Sequence, residues 1–280
     1  MKRLGIIQGR LSPPINGQIQ AFPLEYWQDE FSKCKELGLG SMEWIFEYPQ
    51  VNLNPVCSDS GIAQMMKLSK EYSVKINSVL ADYFMAKKLF GDNLKEVKES
   101  IDTLCFLIGQ CKKCEIPLIE IPFVDDSALS TEKDKKDLIN NLKLPLEEAK
   151  RYGIGIALET SLEPKAFKEL IIAFKPFDVG VNYDMGNSAS LGYDSKEEIK
   201  ILGEFITNVH IKDRIRNGST VSLGDGDTDF NSVFTALKSI NYSGDYMLQA
   251  ARCDILSGDN KDINTTVSSY INFIKSFLEG

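Results

Sequence analysis

The feature that most constrains this chain is an alternation repeated from one end to the other: short apolar, β-branched runs, each followed by a longer amphipathic stretch. Strands alternating with helices in this way form parallel sheets, because two parallel neighbours need a crossover between them. The runs lie at residues 4–8, 41–45, 74–79, 118–123, 154–159, 179–184, 208–212 and 246–249. Each is short and apolar enough to be buried on both faces. The spacing predicts helices over 24–37, 59–72, 94–114, 132–152, 163–174, 196–202, 230–240 and 262–278. Gly38 and Gly153 are placed to end two of them, and Ser58 or Asp59 to start another.

No Pro/Gly/Ser-rich linker, low-complexity tract or charge run interrupts the series. The expectation is therefore one α/β domain over residues 1–280, a closed (β/α)8 TIM barrel. An open doubly wound sheet is the competing arrangement, since periodicity does not show that strand eight pairs with strand one. Its dinucleotide-binding version is weakened by the first strand–helix turn, which lacks a Gly-rich phosphate fingerprint.

A content of 43% hydrophobic residues in 280 supports a large core. The net charge of −8 and pI of about 4.9 give a field that repels nucleic acid and anionic membrane. The first residues reach Gly5 and Arg10 too early for a signal peptide, and no apolar run is long enough to span a bilayer, so a cytoplasmic location is expected. Six cysteines (Cys34, Cys57, Cys105, Cys111, Cys114 and Cys253) are scattered and read as reduced thiols. Cys111 and Cys114 form a lone Cys-x-x-Cys near the end of a predicted helix, where ordinary helix positions are expected rather than a zinc site. Association into a homodimer is compatible with the sequence, although no patch demonstrates it.

In a barrel, side chains at the C-terminal strand ends face the active site. Strand five ends at Glu159, strand six at Asp184, strand seven carries His210, the single histidine, and strand eight ends at Gln249. The separations of 25, 26 and 39 residues correspond to one strand–helix unit each, which brings all four to one rim. Two carboxylates, an imidazole and an amide oxygen form a ligand set for one divalent metal ion, Mn²⁺, Mg²⁺, Co²⁺ or Zn²⁺. The competing reading of the carboxylates is a salt bridge to Lys212 or Arg214, since a carboxylate capping a buried strand requires a partner.

The series Ala-Leu-Glu-Thr (157–160), Tyr-Asp-Met-Gly-Asn (183–187), His-Ile-Lys-Asp-Arg (210–214) and Leu-Gly-Asp-Gly-Asp-Thr-Asp-Phe (223–230), with Ser-Met-Glu-Trp (41–44), resembles the xylose-isomerase-like barrel superfamily, specifically its sugar phosphate isomerase/epimerase branch. The likeness runs over essentially the whole chain. It implies metal binding by Glu159, Asp184 and His210, and an isomerase or epimerase of a small ketose or sugar phosphate working through an enediolate. A metal-dependent sugar dehydratase and a non-catalytic sugar- or metal-binding barrel are the alternatives. Gln249 stands where the branch usually has a glutamate that transfers a proton, and glutamine cannot do so at neutral pH. Asn187 stands where several relatives have a substrate-binding histidine. The nuclease branch, with its His-rich zinc site, does not match a chain with one histidine.

Glu159 is the first candidate acid/base group. Glu43, Asp82 and Lys212 are candidates for the second, with Glu43 favoured. Gln8, Arg10, Arg214 and Arg252 follow strand ends and are expected to bind substrate, the guanidinium groups as a collar for phosphate or carboxylate. Asp82, Asn187 and Trp44 complete the expected substrate-binding set, Trp44 as part of an aromatic wall with Phe46, Tyr48, Tyr83 and Phe84. The glycines of residues 223–227 would let backbone N–H groups approach an anion, though a simple turn accounts for them equally well.

Overall fold

The computed structural model describes residues 4–18, 20–252 and 262–278. The barrel strands are β1 (Leu4–Ile7), β2 (Ser41–Ile45), β3 (Lys75–Leu80), β4 (Leu118–Phe123), β5 (Gly155–Thr160), β6 (Val179–Asp184), β7 (Ile206–Ile211) and β8 (Asp245–Leu248). All pairings between them are parallel and follow chain order. The ring closes between β8 and β1, with Leu4 opposite Tyr246 and Ile6 opposite Leu248. Closure leaves no sheet edge, which excludes the open sheet and establishes the expected (β/α)8 barrel.

The strands fall within two residues of the runs read from the sequence, and the helices Asp59–Tyr72 and Leu94–Cys114 match outright. Ser58 caps the first of these, its hydroxyl accepting from the Gly61 N–H. Four helical features differ from expectation, a one-turn helix at Tyr83–Ala86 being the smallest. The stretch 132–152 is two helices, Glu132–Asn141 and Lys143–Tyr152, because Pro145 cannot donate to the carbonyl of Asn141 and its ring crowds that turn. The first helix begins only at Asp29, residues 24–28 forming turns. An additional helix, Met185–Leu191, directly follows β6; its run of small residues has no amphipathic period, and it forms because Asp184 caps it by accepting from the Asn187 N–H.

The helix layer packs on the outer faces of strands whose two faces are both buried. Trp44 is fully buried there, edge-on to Trp27 at 5.5 Å and tilted against Phe22 at 5.4 Å, and its indole N–H donates to Asn54 Oδ1 at 2.9 Å. Truncating such a residue costs roughly 3–5 kcal/mol, so Trp44 holds the wall of the fold and not the wall of a substrate pocket. Of the other aromatics in the expected wall, Phe46 and Phe84 are also core, while Tyr48 is largely exposed.

Cys34, Cys57, Cys105, Cys111 and Cys114 are free thiols, and Cys253 lies outside the described residues. Burial pushes the Cys34, Cys105 and Cys114 thiols up to about 12 and that of Cys111 well above its ordinary range, which disfavours reactive thiolates. No helix among the described residues is long and apolar enough to cross a membrane.

Candidate metal centre and active site

The upper half of the barrel interior is polar, against the branched apolar filling usual in this fold. His210 is fully buried on β7, directly opposite Asp184 on β6. Its Nε2 faces the barrel axis, 2.7 Å from Glu43 Oε2 and 2.9 Å from Glu120 Oε2. Its Nδ1 faces the rim, 3.2 Å from Asn182 Nδ2 and 3.8 Å from Glu159 Oε2. Glu43 also accepts from Ser78 Oγ (2.6 Å) and Asn208 Nδ2 (3.2 Å), while Glu120 Oε1 accepts from Asn182 Nδ2 (2.8 Å).

Two carboxylates in a dry interior cannot both stay charged without compensation. Burial drives the Glu120 carboxyl well above its ordinary range, against the opposing pull of His210 and reinforced by Glu43. For His210 burial works the other way, but the attraction of Glu120 and Glu43 prevails and raises it well above its usual value. Burial and the facing carboxylates thus favour a proton held between His210 and Glu120.

Above it, Glu159 Oε2 accepts from Asn182 Nδ2 at 2.9 Å and Oε1 from Asn187 Nδ2 at 2.5 Å. Asn187 is itself held by Arg214 Nη1, which donates to its Oδ1 at 2.7 Å. Asp184 Oδ2 accepts from Lys212 Nζ at 3.2 Å. Facing oxygen and nitrogen atoms of Glu159, Asp184 and His210 lie within 4.8 Å of one another. Gln249, one residue beyond β8, donates through Nε2 to Gln20 Oε1 at 2.9 Å.

The structure brings Glu159, Asp184 and His210 together, with Asn187, Lys212 and Arg214 around them. Glu43 does not reach this rim: it is fully buried beneath the imidazole, because residue 43 lies two positions before the end of β2 and so points into a lower layer. That placement removes it as a proton carrier to substrate. The collar of cations is also spent on the protein itself. Arg10 Nε donates to Ala250 O (3.0 Å) and Nη2 to Gln20 Oε1 (3.2 Å), Arg252 Nη1 to Ser12 O (3.0 Å), and Arg214 Nε and Nη2 to Gly218 O. Gln8 is buried, its oxygen accepting from the Ile45 N–H at 3.0 Å and its Nε2 without a partner among the described residues.

The glycine-rich loop after β7 does surround an anion, and the anion is Asp213. Its fully buried carboxylate accepts from the backbone N–H groups of Gly224, Gly226 and Thr228 at 2.8, 3.0 and 3.1 Å. A Cβ on Gly226 would collide with Asp213 Oδ1, which is why this position has none.

Glu120, Asn182 and Gln20 are structural partners of the site that the strand-end reasoning misses. A glutamate in the middle of Leu-Ile-Glu-Ile-Pro-Phe and an asparagine inside Val-Gly-Val-Asn-Tyr are the signals that could have found the first two, since a polar residue mid-strand in a buried sheet must meet a partner. Gln20 sits in a loop with no such signal.

Asp82, half-buried after β3, accepts from Gln20 Nε2 at 2.5 Å. Burial, opposed by that hydrogen bond and reinforced by Glu47, Glu159 and Glu43, pushes its carboxyl up from its ordinary 3.8 to about 7. A carboxyl raised on folding favours the protonated form, so its contribution to stability is lost as pH climbs from about 4 to about 7. Asp82→Asn removes that loss. The melting temperature of the variant relative to the parent is therefore expected to be higher at pH 8 than at pH 4, and a pH-independent difference would refute the assignment.

The sequence profile of the xylose isomerase-like TIM barrel matches residues 31–254. The chain belongs to this family. No curated protein matches the sequence. Among solved structures, D-psicose 3-epimerase from Clostridium cellulolyticum H10 with D-tagatose superposes with a TM-score of 0.79, at 15% identity over 99% of both chains. The IolI protein with a binding zinc atom gives 0.76 at 17% identity, over 99% of this chain and 98% of the other. 3-Keto-D-glucoside 4-epimerase from E. coli gives 0.73 at 15% identity, over 99% and 100%. At these identities the likeness extends to the fold.

Whether the residues of this xylose isomerase-like barrel suit a divalent ion is decided by their donors. Glu159 and Asp184 offer hard oxygens, and the rim-facing Nδ1 of His210 is a nitrogen ligand once deprotonated. The decisive atom is Gln249 Oε1, buried and without any hydrogen-bond partner among the described residues. An amide oxygen left dry and unpartnered costs about 1–3 kcal/mol, which a metal ligand bond would remove. In the second cluster, Glu43 Oε2 and Glu120 Oε2 both close on His210 Nε2, at 2.7 and 2.9 Å, and Glu120 Oε2 accepts no hydrogen bond among the described residues.

Proposed function

We propose that this protein is a divalent-metal-dependent isomerase or epimerase of a small ketose. The reading is carried by the convergence of Glu159, Asp184 and His210; the buried, unpartnered oxygen of Gln249, just beyond the neighbouring strand, supports it. The sugar epimerases among its structural neighbours support the substrate class. Held by Glu159, Asp184 and His210, a divalent ion would supply the Lewis acidity that makes a C–H beside a ketone acidic.

The chain's own residues do the proton work. Glu159 is the base on one face, its two oxygens aimed by Asn182 and Asn187 so that little reorganisation is needed when it takes the proton. A second carrier cannot be Gln249, which has no titratable proton, nor the buried Glu43; Lys212 is engaged by Asp184. The second proton is assigned to Asp82, the remaining carboxyl beyond a strand end, which lies close enough to Glu159 for that charge to help raise its own carboxyl. Asn187, steadied by Arg214, offers hydrogen bonds to a sugar hydroxyl. An unphosphorylated substrate fits best, because Arg10, Arg214 and Arg252 would have to break bonds to protein oxygens to hold a phosphate.

The test is solvent exchange. Protein loaded with Mn²⁺ or Co²⁺ is incubated in D2O with a panel of ketopentoses and ketohexoses, free and phosphorylated, and followed by NMR and mass spectrometry. Chelator-sensitive deuterium uptake at the carbon beside the carbonyl of a free ketose is expected. A product lighter by one water would make the protein a dehydratase instead. No exchange with any sugar at stoichiometric protein would refute the enzyme reading.

A further inference from the structure

The amide of Gln249 is useful to a metal only in one of its two orientations, since Oε1 can coordinate and the NH2 cannot. Three neighbours determine which one is adopted. Arg10 Nη2 lies 3.2 Å from one end of the Gln20 amide, and a guanidinium only donates, so that end must be Oε1. Asp82 Oδ2 lies 2.5 Å from the other end and accepts, so that end must be the NH2. The Gln249 atom 2.9 Å from Gln20 Oε1 must in turn be a donor, its Nε2. Only then is Oε1 of Gln249 the atom left buried without a donor, one residue beyond the strand that pairs with the one carrying His210.

We propose that Gln20 is a positioning residue: anchored by Arg10 and Asp82, it locks the Gln249 side chain with its carbonyl oxygen turned to the metal site. The proposal rests on the metal-site reading above. It also accounts for Arg10, which the sequence suggests as a substrate clamp and which instead sits on Ala250 O and Gln20. Replacing a carboxylate ligand by an amide creates an orientation problem that a symmetric carboxylate never has, and the Arg10–Gln20–Asp82 arrangement removes it. The arrangement works at a distance from the ion, as outer partners of metal ligands generally do.

The experiment measures Co²⁺ affinity by chelator competition, with the visible Co²⁺ spectrum as a second readout, in the full-length wild type, Gln20→Leu, Gln249→Leu and the double variant. Circular dichroism checks folding. Gln20→Leu is expected to weaken Co²⁺ binding by about 10–100-fold, the range for lost outer partners, and the double variant to be no worse than Gln249→Leu alone. Exchanging donor and acceptor across the outer link, in Gln20→Glu with Asp82→Asn, keeps an acceptor facing Gln249 Nε2 and is expected to restore most of the affinity. Unchanged affinity in Gln20→Leu, losses that add in the double variant, or failure of the exchanged pair to recover would overturn the relay while leaving the metal site standing. A wild type that takes up no Co²⁺ would instead overturn the metal site and the relay with it.

Discussion

His210→Ala is expected to abolish tight metal binding and also to destabilise the fold by about 3–5 kcal/mol, the cost of removing one partner from a buried ion pair. The imidazole does two jobs at once. Its Nδ1 faces Glu159 and the rim, while its Nε2 meets Glu43 at 2.7 Å and Glu120 at 2.9 Å in the dry interior. Without it, Glu43 keeps only Ser78 and Asn208 as donors, and Glu120 loses the imidazole beside its Oε2. Asp184→Ala is the informative contrast. Asp184 is paired with Lys212 at the rim and caps one helix turn, so its removal should cost about 1 kcal/mol of stability while losing the metal as well. Metal content and denaturant unfolding of the two variants, measured side by side, decide this. Equal stability of both variants would mean that the buried acid cluster does not depend on the histidine.

Glu159→Gln should leave a folded protein and lower metal-dependent deuterium exchange by about 10²–10⁴, the usual contribution of a positioned general base. A smaller structural cost is also expected, and its origin is specific. Both carboxylate oxygens of Glu159 accept from asparagine NH2 groups, and neither asparagine is free to turn over. Arg214 requires the oxygen of Asn187 on its own side, and Asn182 Nδ2 also serves Glu120. A glutamine at 159 would therefore set its NH2 against one of these donors, a loss of about 1–3 kcal/mol. Rates on the exchange-competent ketose together with urea unfolding separate the two effects. A variant that retains wild-type exchange would remove Glu159 from the chemistry.

Alternating apolar runs and amphipathic stretches were sufficient for eight parallel strand–helix units, because each unit imposes the same short-strand, long-helix rhythm; an open sheet shares that rhythm, and closure was seen only in the pairing of β8 with β1. The strand-end positions of Glu159, Asp184 and His210 were likewise legible, since one strand–helix repeat separates each from the next. Glu43 and Trp44 show where such reading stops. Both belong to the second strand near its end, but which of them faces the axis, and at what height, depends on the stagger of neighbouring strands, and stagger is a property of the closed ring. The role of Glu120 depends on β4 lying across the barrel from β7, a contact between residues 90 positions apart that no local pattern encodes. The sequence by itself determined the eight strand–helix units and the strand-end placement of three polar residues, because periodicity and spacing are local. Only the tertiary structure decided that the arginines bind the protein's own oxygens, that Asp213 fills the glycine loop, and that Gln20 holds Gln249, because donors and acceptors can be matched only once the loops that carry them have met.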